Sequence, residues 1–84
     1  MKWTKTGRAV YENGEATTYY QSDDGRFIIE SRKRKIPHRN RSGEWMHTSY
    51  FLIDEAARTE TEYMLLSDAK EAAEKRVSDG RTNG

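Results

Sequence analysis

The ten residues from Arg32 to Arg41 concentrate the positive charge of this chain. They hold six of its fifteen Lys and Arg residues and no Asp or Glu. The remainder, with nine basic and fourteen acidic residues, has a formal charge of −5, although the whole chain carries +1. Lys and Arg groups bind phosphates, and arginine does so through two hydrogen bonds at once. This segment therefore favours binding of a polyanion, and nucleic acid is the commonest one in a cell.

Two other interpretations of the basic segment stay open. The charges can belong to a solvated loop that aids solubility, or they can meet an acidic protein partner. Because Pro37 lacks an amide donor and like charges repel, the sequence predicts a mobile loop over residues 32–44 and not a central strand. The candidate nucleic-acid-binding side chains are the cations of the segment, its histidine and one upstream aromatic residue: Arg32, Lys33, Arg34, Lys35, His38, Arg39, Arg41 and Tyr19.

Aromatic side chains offer a second route to nucleic acid, because unpaired bases stack on them. The candidates for such a platform are Tyr19, Tyr20, Trp45 and Tyr50. The competing interpretation places these residues in the core, because a small domain needs its aromatic side chains there. Strand alternation prevents all of them from facing one core. We expect Tyr19 to be exposed, because its predicted strand face also carries Glu30.

Catalytic and metal-binding signals are absent from the sequence. The chain has no cysteine, which excludes disulfides, thiolate zinc sites and cysteine nucleophiles. His38 and His47 are not spaced as a ligand pair, and the run His47-Thr48-Ser49 does not by itself imply the geometry of a nucleophilic site. The acidic stretch from Asp54 to Glu62 is typical of a solvated loop, with a metal or partner site as the alternative. We therefore expect no enzymatic activity, no cofactor, no metal and no small-molecule substrate.

Length and composition predict one small folded domain over residues 1–84. Hydrophobic residues make up 33% and charged residues 35%, which is polar, but nine aromatic residues favour a folded core. No apolar run approaches the ~18 residues of a membrane span, and the first residues lack the apolar region of a secretory signal. We expect a cytoplasmic protein without membrane contact, with flexible ends at about residues 1–8 and 79–84.

Two hairpins are predicted in the first half of the chain. Asn13-Gly14 suits a tight turn after a short edge strand at residues 9–11. The β-forming run 17–21 and the strand 26–31 flank a turn at Asp24-Gly25. A two-residue loop would pair Tyr20 with Ile29, and a four-residue loop would pair it with Phe27. Either register places the same five side chains on the predicted core face: Thr18, Tyr20, Phe27, Ile29 and Ser31.

The second half of the chain predicts a long strand, a short strand and a helix. The long strand covers residues 45–53 and the short one residues 63–65. Ser67 is a good N-cap for a helix from about Asp68 to Ser78, which Asp79-Gly80 would end. The helix has a narrow stripe of mostly small side chains at helical spacing: Ala69, Ala72, Ala73, Arg76 and Val77. The predicted fold is α+β, a three- or four-stranded antiparallel sheet with one C-terminal helix packed on one face.

Two resemblances cover these elements. Asp24-Gly25-Arg26-Phe27, the Trp45 and Tyr50 strand, and the helix start from Ser67 to Glu74 resemble small uncharacterised proteins of bacteriophages and actinobacteria. This resemblance implies a sheet with a helix and a phage origin, and it brings no known activity. The order of elements is also similar to the arm-type DNA-binding domains of tyrosine integrases. The chain departs from that pattern at residues 32–44 and 54–62, so no base-reading residue follows from it.

The function that the sequence favours is that of a non-enzymatic nucleic-acid-binding accessory module, with the basic segment as its phosphate-contacting loop. The first alternative is a protein-interaction module of phage origin that binds a host protein. In it, the acidic residues of the body would matter as much as the basic segment. The second alternative is a phage protein with a role in assembly.

Overall fold

The computed structural model describes the backbone of residues 1–82 and the side chains of residues 1–78. One antiparallel sheet has the order β1-β2-β3-β4-β5, in which every strand pairs with its neighbours in sequence. The elements are β1 (Trp3–Val10), β2 (Ala16–Ser22), β3 (Phe27–Pro37), β4 (Glu44–Asp54), β5 (Thr59–Tyr63) and α1 (Leu66–Thr82). The predicted α+β class with an antiparallel sheet and a C-terminal helix is confirmed. The predicted count of three or four strands is wrong, because the sheet has five.

The first strand is much longer than the predicted edge strand at residues 9–11. Strand β1 pairs with β2 from Trp3, opposite Ser22, to Val10, opposite Ala16, with one irregularity between Lys5 and Gly7. Residues 3–8 therefore form a strand, where the sequence predicted a flexible end. Most side chains of β1 are exposed. An exposed edge strand needs no alternating apolar pattern, and charged residues on it discourage pairing with other chains.

The basic segment occupies a strand and not only a loop. Residues 32–37 belong to β3 and pair with residues 49–44 of β4, so the turn is confined to residues 38–43. The predicted loop over residues 32–44 is therefore wrong for its first six residues and for Glu44. The strand tolerates Pro37 because of its position in the ladder. The His38 amide donates to the Gly43 carbonyl (3.2 Å), so His38 and Gly43 form a hydrogen-bonded pair. Bonded and non-bonded pairs alternate along antiparallel strands, so the next pair, Pro37 and Glu44, exchanges no backbone hydrogen bonds. The nitrogen of Pro37 then faces the side where β2 has already ended.

The core lies between the sheet and α1. Phe27, Ile29 and Leu52 are fully buried on the predicted core face, together with Ala69 and Ala73 of the helix. Tyr20 pairs with Ile29, which is the register that the shorter predicted loop requires. The helix stripe is confirmed, because Ala72 and Val77 also pack against this cluster. Within residues 1–82, no helix covers the opposite face of the sheet, and we call it the open face.

The ends of α1 and β5 differ from the prediction. The helix begins at Leu66, where the Ala69 amide donates to the Leu65 carbonyl (3.2 Å), so Ser67 lies inside the first turn and is not the N-cap. It continues to Thr82 and does not end at Asp79-Gly80. The last two residues of the predicted flexible end lie outside the described residues. Strand β5 covers Thr59–Tyr63, while Met64 and Leu65, predicted to be in a strand, are exposed between β5 and the helix.

The space between α1 and the sheet should not accept a side chain larger than alanine at position 73. Ala73→Leu should lower the free energy of unfolding by about 1–3 kcal/mol, because extra methylene groups must enter a packed core. Ala73 is fully buried and the helix contacts β3, β4 and β5. Urea unfolding followed by circular dichroism measures the change. The matched control is Lys75→Leu on the exposed side of the helix, which should have little effect. Equal stability of the two variants would contradict this packing.

Candidate nucleic-acid interface

Strands β3 and β4 extend beyond their neighbours as a two-stranded projection. Pairing of β3 with β2 stops at Lys33, and pairing of β4 with β5 starts only at Tyr50. Residues 34–47 therefore form a hairpin that is flanked by neither strand, which we call the β3–β4 arm. The molecule measures 54 × 26 × 20 Å. The β3–β4 arm contains four Lys and Arg residues and one Glu, a formal charge of +3 with histidine neutral.

Strand alternation distributes the predicted cations over two faces. Arg32 and Arg34 share the open face with Ile36, because they have the opposite parity to the buried Phe27 and Ile29. Lys33 and Lys35 lie on the helix side of the sheet, and both are exposed. Adjacent like charges thus point in opposite directions, which removes much of the repulsion that argued against a strand.

Arg32 is bound to partners within the protein. Its guanidinium donates to Glu30 through Nε (3.2 Å) and to Glu60 through Nη2 (2.8 Å). It also lies over the Phe51 ring, with Cζ at 3.9 Å from the ring centroid. Partial burial opposes the charged form of Arg32, but the two carboxylates outweigh it and raise its pKa. Arg32 therefore has a structural role that links β3 with β5.

Arg34 is likewise held by the sheet. Its Nη1 donates to the carbonyls of Ala16 (2.9 Å) and Lys33 (3.0 Å), and its Nη2 donates to the Thr17 hydroxyl (2.8 Å). The nearby Glu15 accepts from the Lys35 amide (3.0 Å). The Asn13 amide and the Lys35 amide hold the pKa of the Glu15 carboxyl below its usual range. The base of the β3–β4 arm is thus fastened to the β1–β2 turn.

The remaining predicted cations are exposed, and only Lys35 has a nearby opposite charge among the described residues, since it helps to lower the pKa of Glu15. Among the described residues, no side-chain hydrogen bond or ion pair engages this group, which consists of Lys33, Lys35, His38, Arg39 and Arg41. All five lie on the β3–β4 arm or at its base. The structure therefore divides the predicted site into two internally bonded arginines and an exposed cationic group that is available to a ligand.

An exposed tryptophan lies beside the cationic group. Trp45 is 44% exposed on the open face, opposite Ile36. Its ring centroid lies 5.2 Å from that of His47, at an interplanar angle of 69°. Next to it, the open face holds a groove of about 350 Å³ lined by Arg32, Arg34, Ile36, His47, Ser49, Phe51 and Glu62. The sequence predicts that Trp45 is a candidate for base stacking. Only the strand register shows that this tryptophan lies beside the cations.

Tyr19 lies away from this group. It is half-buried in β2, between Gly7 of β1 and Glu30 of β3. Glu30 is seven residues from the last residue of β3, a distance of about 23 Å along a strand. Tyr19 and the turn at residues 38–43 therefore cannot contact one nucleotide together. The structure does not bring Tyr19 to the predicted site.

Comparison with known proteins gives no indication of a function for this chain. No family model, no curated protein and no solved structure matches this chain. The resemblances to phage proteins and to integrase domains therefore stay predictions. In the part of the chain that the structure describes, no helix has the length and hydrophobicity that a bilayer crossing requires. The geometry of the β3–β4 arm and of the groove beside it is therefore the basis on which a function can be inferred.

Proposed function

We propose that this protein is a nucleic-acid-binding accessory module without enzymatic activity, and that the β3–β4 arm with Lys33 is its phosphate-contacting element. One observation carries the proposal: five exposed Lys, Arg and His side chains, which form no hydrogen bond or ion pair with other described residues, lie on the β3–β4 arm or at its base. The rest of the chain is acidic overall, so these cations are concentrated where a ligand can reach them. A protein that used them only for solubility would have no need to collect them on one projection.

The shape of the β3–β4 arm suits a nucleic acid. The β3–β4 arm is a narrow two-stranded ribbon with exposed cations, so a phosphate backbone can lie along it. Lys33 and Lys35 on the helix side, together with Arg39 and Arg41 in the turn, can follow the phosphates of one strand. Each phosphate that a cation neutralises releases condensed counterions, so the affinity should depend steeply on salt.

Removing the four exposed Lys and Arg charges tests this proposal. The variant with Lys33, Lys35, Arg39 and Arg41 all replaced by Ala should bind DNA roughly 100-fold more weakly at about 0.1 M salt. The slope of log K against log salt should become shallower by about 3, because four phosphate contacts are lost. Fluorescence anisotropy with labelled duplex and single-stranded DNA, each between about 50 and 200 mM salt, measures both quantities.

A control with the same change in charge separates local from global electrostatics. Lys2, Lys5, Lys70 and Lys75 lie outside the β3–β4 arm, and their joint replacement by Ala should reduce affinity by much less. Equal losses in the two variants would mean that only net charge matters. No binding of the unmodified protein at low salt would refute the proposed function.

A protein partner is the second candidate function. The observation in its favour is that Met64 and Leu65, which are adjacent, are 60% and 58% exposed. Exposed apolar side chains in contiguous groups mark protein-binding surfaces. The acidic body would then provide the charge complementarity that a host protein or an assembly partner needs. This candidate becomes the leading one if the binding titrations show no interaction with nucleic acid.

A further inference from the structure

We infer that the groove on the open face takes one base of a single-stranded nucleic acid, while the neighbouring phosphates of that strand lie on Arg39 and Arg41 in the turn of the β3–β4 arm. This inference rests on the proposed function and specifies its ligand. It identifies Trp45 as the stacking residue and the groove as the site that distinguishes unpaired from paired bases.

The groove has the size and the lining that a planar ring needs. Its volume of about 350 Å³ lies within the range of small-ligand pockets, about 300–1,000 Å³. Ile36 and Phe51 supply apolar surface, and His47 supplies an aromatic ring. The Phe51 ring already carries Arg32 at 3.9 Å. The rings for stacking are therefore His47, which lines the groove, and Trp45, which lies beside the groove in contact with His47.

The two tryptophans of this chain lie in different environments. Trp3 packs against the core, whereas Trp45 lies on the β3–β4 arm and is 44% exposed. Its edge-to-face contact with His47 restricts the indole ring without covering it. A restricted, exposed aromatic ring loses little conformational entropy when a base stacks on it.

Polar groups in the groove can bind the edge of a base. Among the described residues, the side chains of Ser49 and Glu62 form no hydrogen bond or ion pair. A hydroxyl donates or accepts, and a carboxylate accepts from the exocyclic amino group of cytosine or adenine. In a duplex these bases are stacked and paired, so only an unpaired base can enter the groove.

Charge alone would produce the opposite preference. A duplex has the higher charge density and releases more counterions for each contact, with a slope of about 0.9 against about 0.7 for a single strand. A protein that used only its cations would therefore bind a duplex at least as tightly. Tighter binding of a single strand at equal salt is diagnostic of contacts to bases.

The test compares Trp45→Ala and Trp45→Phe with the unmodified protein. The ligands are a mixed-sequence single strand of about 12 nucleotides and the duplex of the same length, with anisotropy as the readout. Trp45→Ala should weaken single-strand binding about tenfold, leave duplex binding unchanged and leave the salt slope unchanged, because no charge is lost. Trp45→Phe should retain most of the affinity. Met64→Ala, which removes another exposed apolar side chain, should change neither.

Each outcome bears on the inference. Preference for the single strand that disappears in Trp45→Ala, with quenching of tryptophan fluorescence on binding, supports it. Equal or tighter duplex binding, unaffected by Trp45→Ala, overturns it and leaves the proposed function intact. Absence of binding to both ligands at low salt overturns the proposed function itself. If circular dichroism shows that Trp45→Ala does not fold, Glu62→Ala provides the second test. The preference of this variant for strands that contain cytosine or adenine over thymine-only strands should be smaller than that of the unmodified protein. An unchanged preference overturns the inference.

Discussion

Replacing Asp54 with Ala is expected to lower the free energy of unfolding by about 2–4 kcal/mol, because it removes a buried carboxylate that accepts five hydrogen bonds. The Asp54 side chain is fully buried at the end of β4. It accepts from Nε and Nη2 of Arg26 and from Nη1 of Arg76, all at 3.1 Å. It also accepts from the amides of Ala56 and Ala57. The substitution would leave two guanidinium groups and two amides without their acceptor.

Urea unfolding of Asp54→Ala and of the milder Asp54→Asn measures this effect. A domain of this size has a stability near the lower end of about 5–15 kcal/mol, so the alanine variant should be only marginally stable at ambient temperature. Asp23→Asn is the matched control, because Asp23 is exposed and lies in the turn before Arg26. A loss below about 1 kcal/mol for Asp54→Ala would show that this network contributes little.

The same network makes stability depend on acid. The hydrogen bonds from Arg26, helped by the Ala57 amide and Arg76, outweigh the effect of burial and lower the pKa of Asp54 from 3.8 to about 2. Because the folded pKa lies below the unfolded one, the stabilisation is complete well above pH 3.8 and is lost as the pH falls through about 2. It amounts to about 2–3 kcal/mol. Asp54→Asn should remove this part of the pH dependence between pH 2 and pH 5.

The sheet faces followed from the sequence because alternation is a local signal. Two apolar residues spaced by two, Phe27 and Ile29, placed the core correctly. The role of Asp54 was missed for the opposite reason. It begins an acidic stretch that is typical of a solvated loop, while its partners Arg26 and Arg76 lie 28 and 22 residues away in the chain. No local pattern connects residues that only the folded sheet and helix bring together.

The basic segment shows the same limit in another form. The run of like charges predicts a mobile loop, because neighbouring cations repel each other. In the strand, however, Arg32 and Arg34 point to one face of the sheet and Lys33 to the other. The arginines then find carboxylates, carbonyls and a hydroxyl on β2, β3 and β5. The sequence identifies the cations of this segment, but it cannot show which of them form bonds within the protein.

Shortening the β3–β4 arm is expected to abolish nucleic-acid binding while leaving the fold almost as stable. The variant replaces residues 35–46 with Asn-Gly, so that Arg34 and His47 flank a two-residue turn. This junction suits the register, because Arg34 and His47 have the same parity as the bonded pair His38 and Gly43. The deletion removes Lys35, Arg39, Arg41 and Trp45 together but keeps Lys33, so the loss of affinity for single-stranded DNA should be at least the roughly 100-fold loss expected for the charge variant.

Stability should change by less than about 1 kcal/mol, because surface segments away from the core contribute little. None of the buried core residues lies in the deleted segment, and the bonds of Arg32 and Arg34 to their partners remain possible. Urea unfolding measures the stability and anisotropy measures the affinity of the same preparation.

The charge variant with a full-length β3–β4 arm is the control for length. A stability loss above about 2 kcal/mol would make the β3–β4 arm part of the folding unit, and retained binding would place the interface elsewhere. We expect this result because different side chains bind the ligand and hold the sheet together. Arg32 and Arg34 form hydrogen bonds within the sheet and are kept, whereas the exposed cations Lys35, Arg39 and Arg41 are deleted.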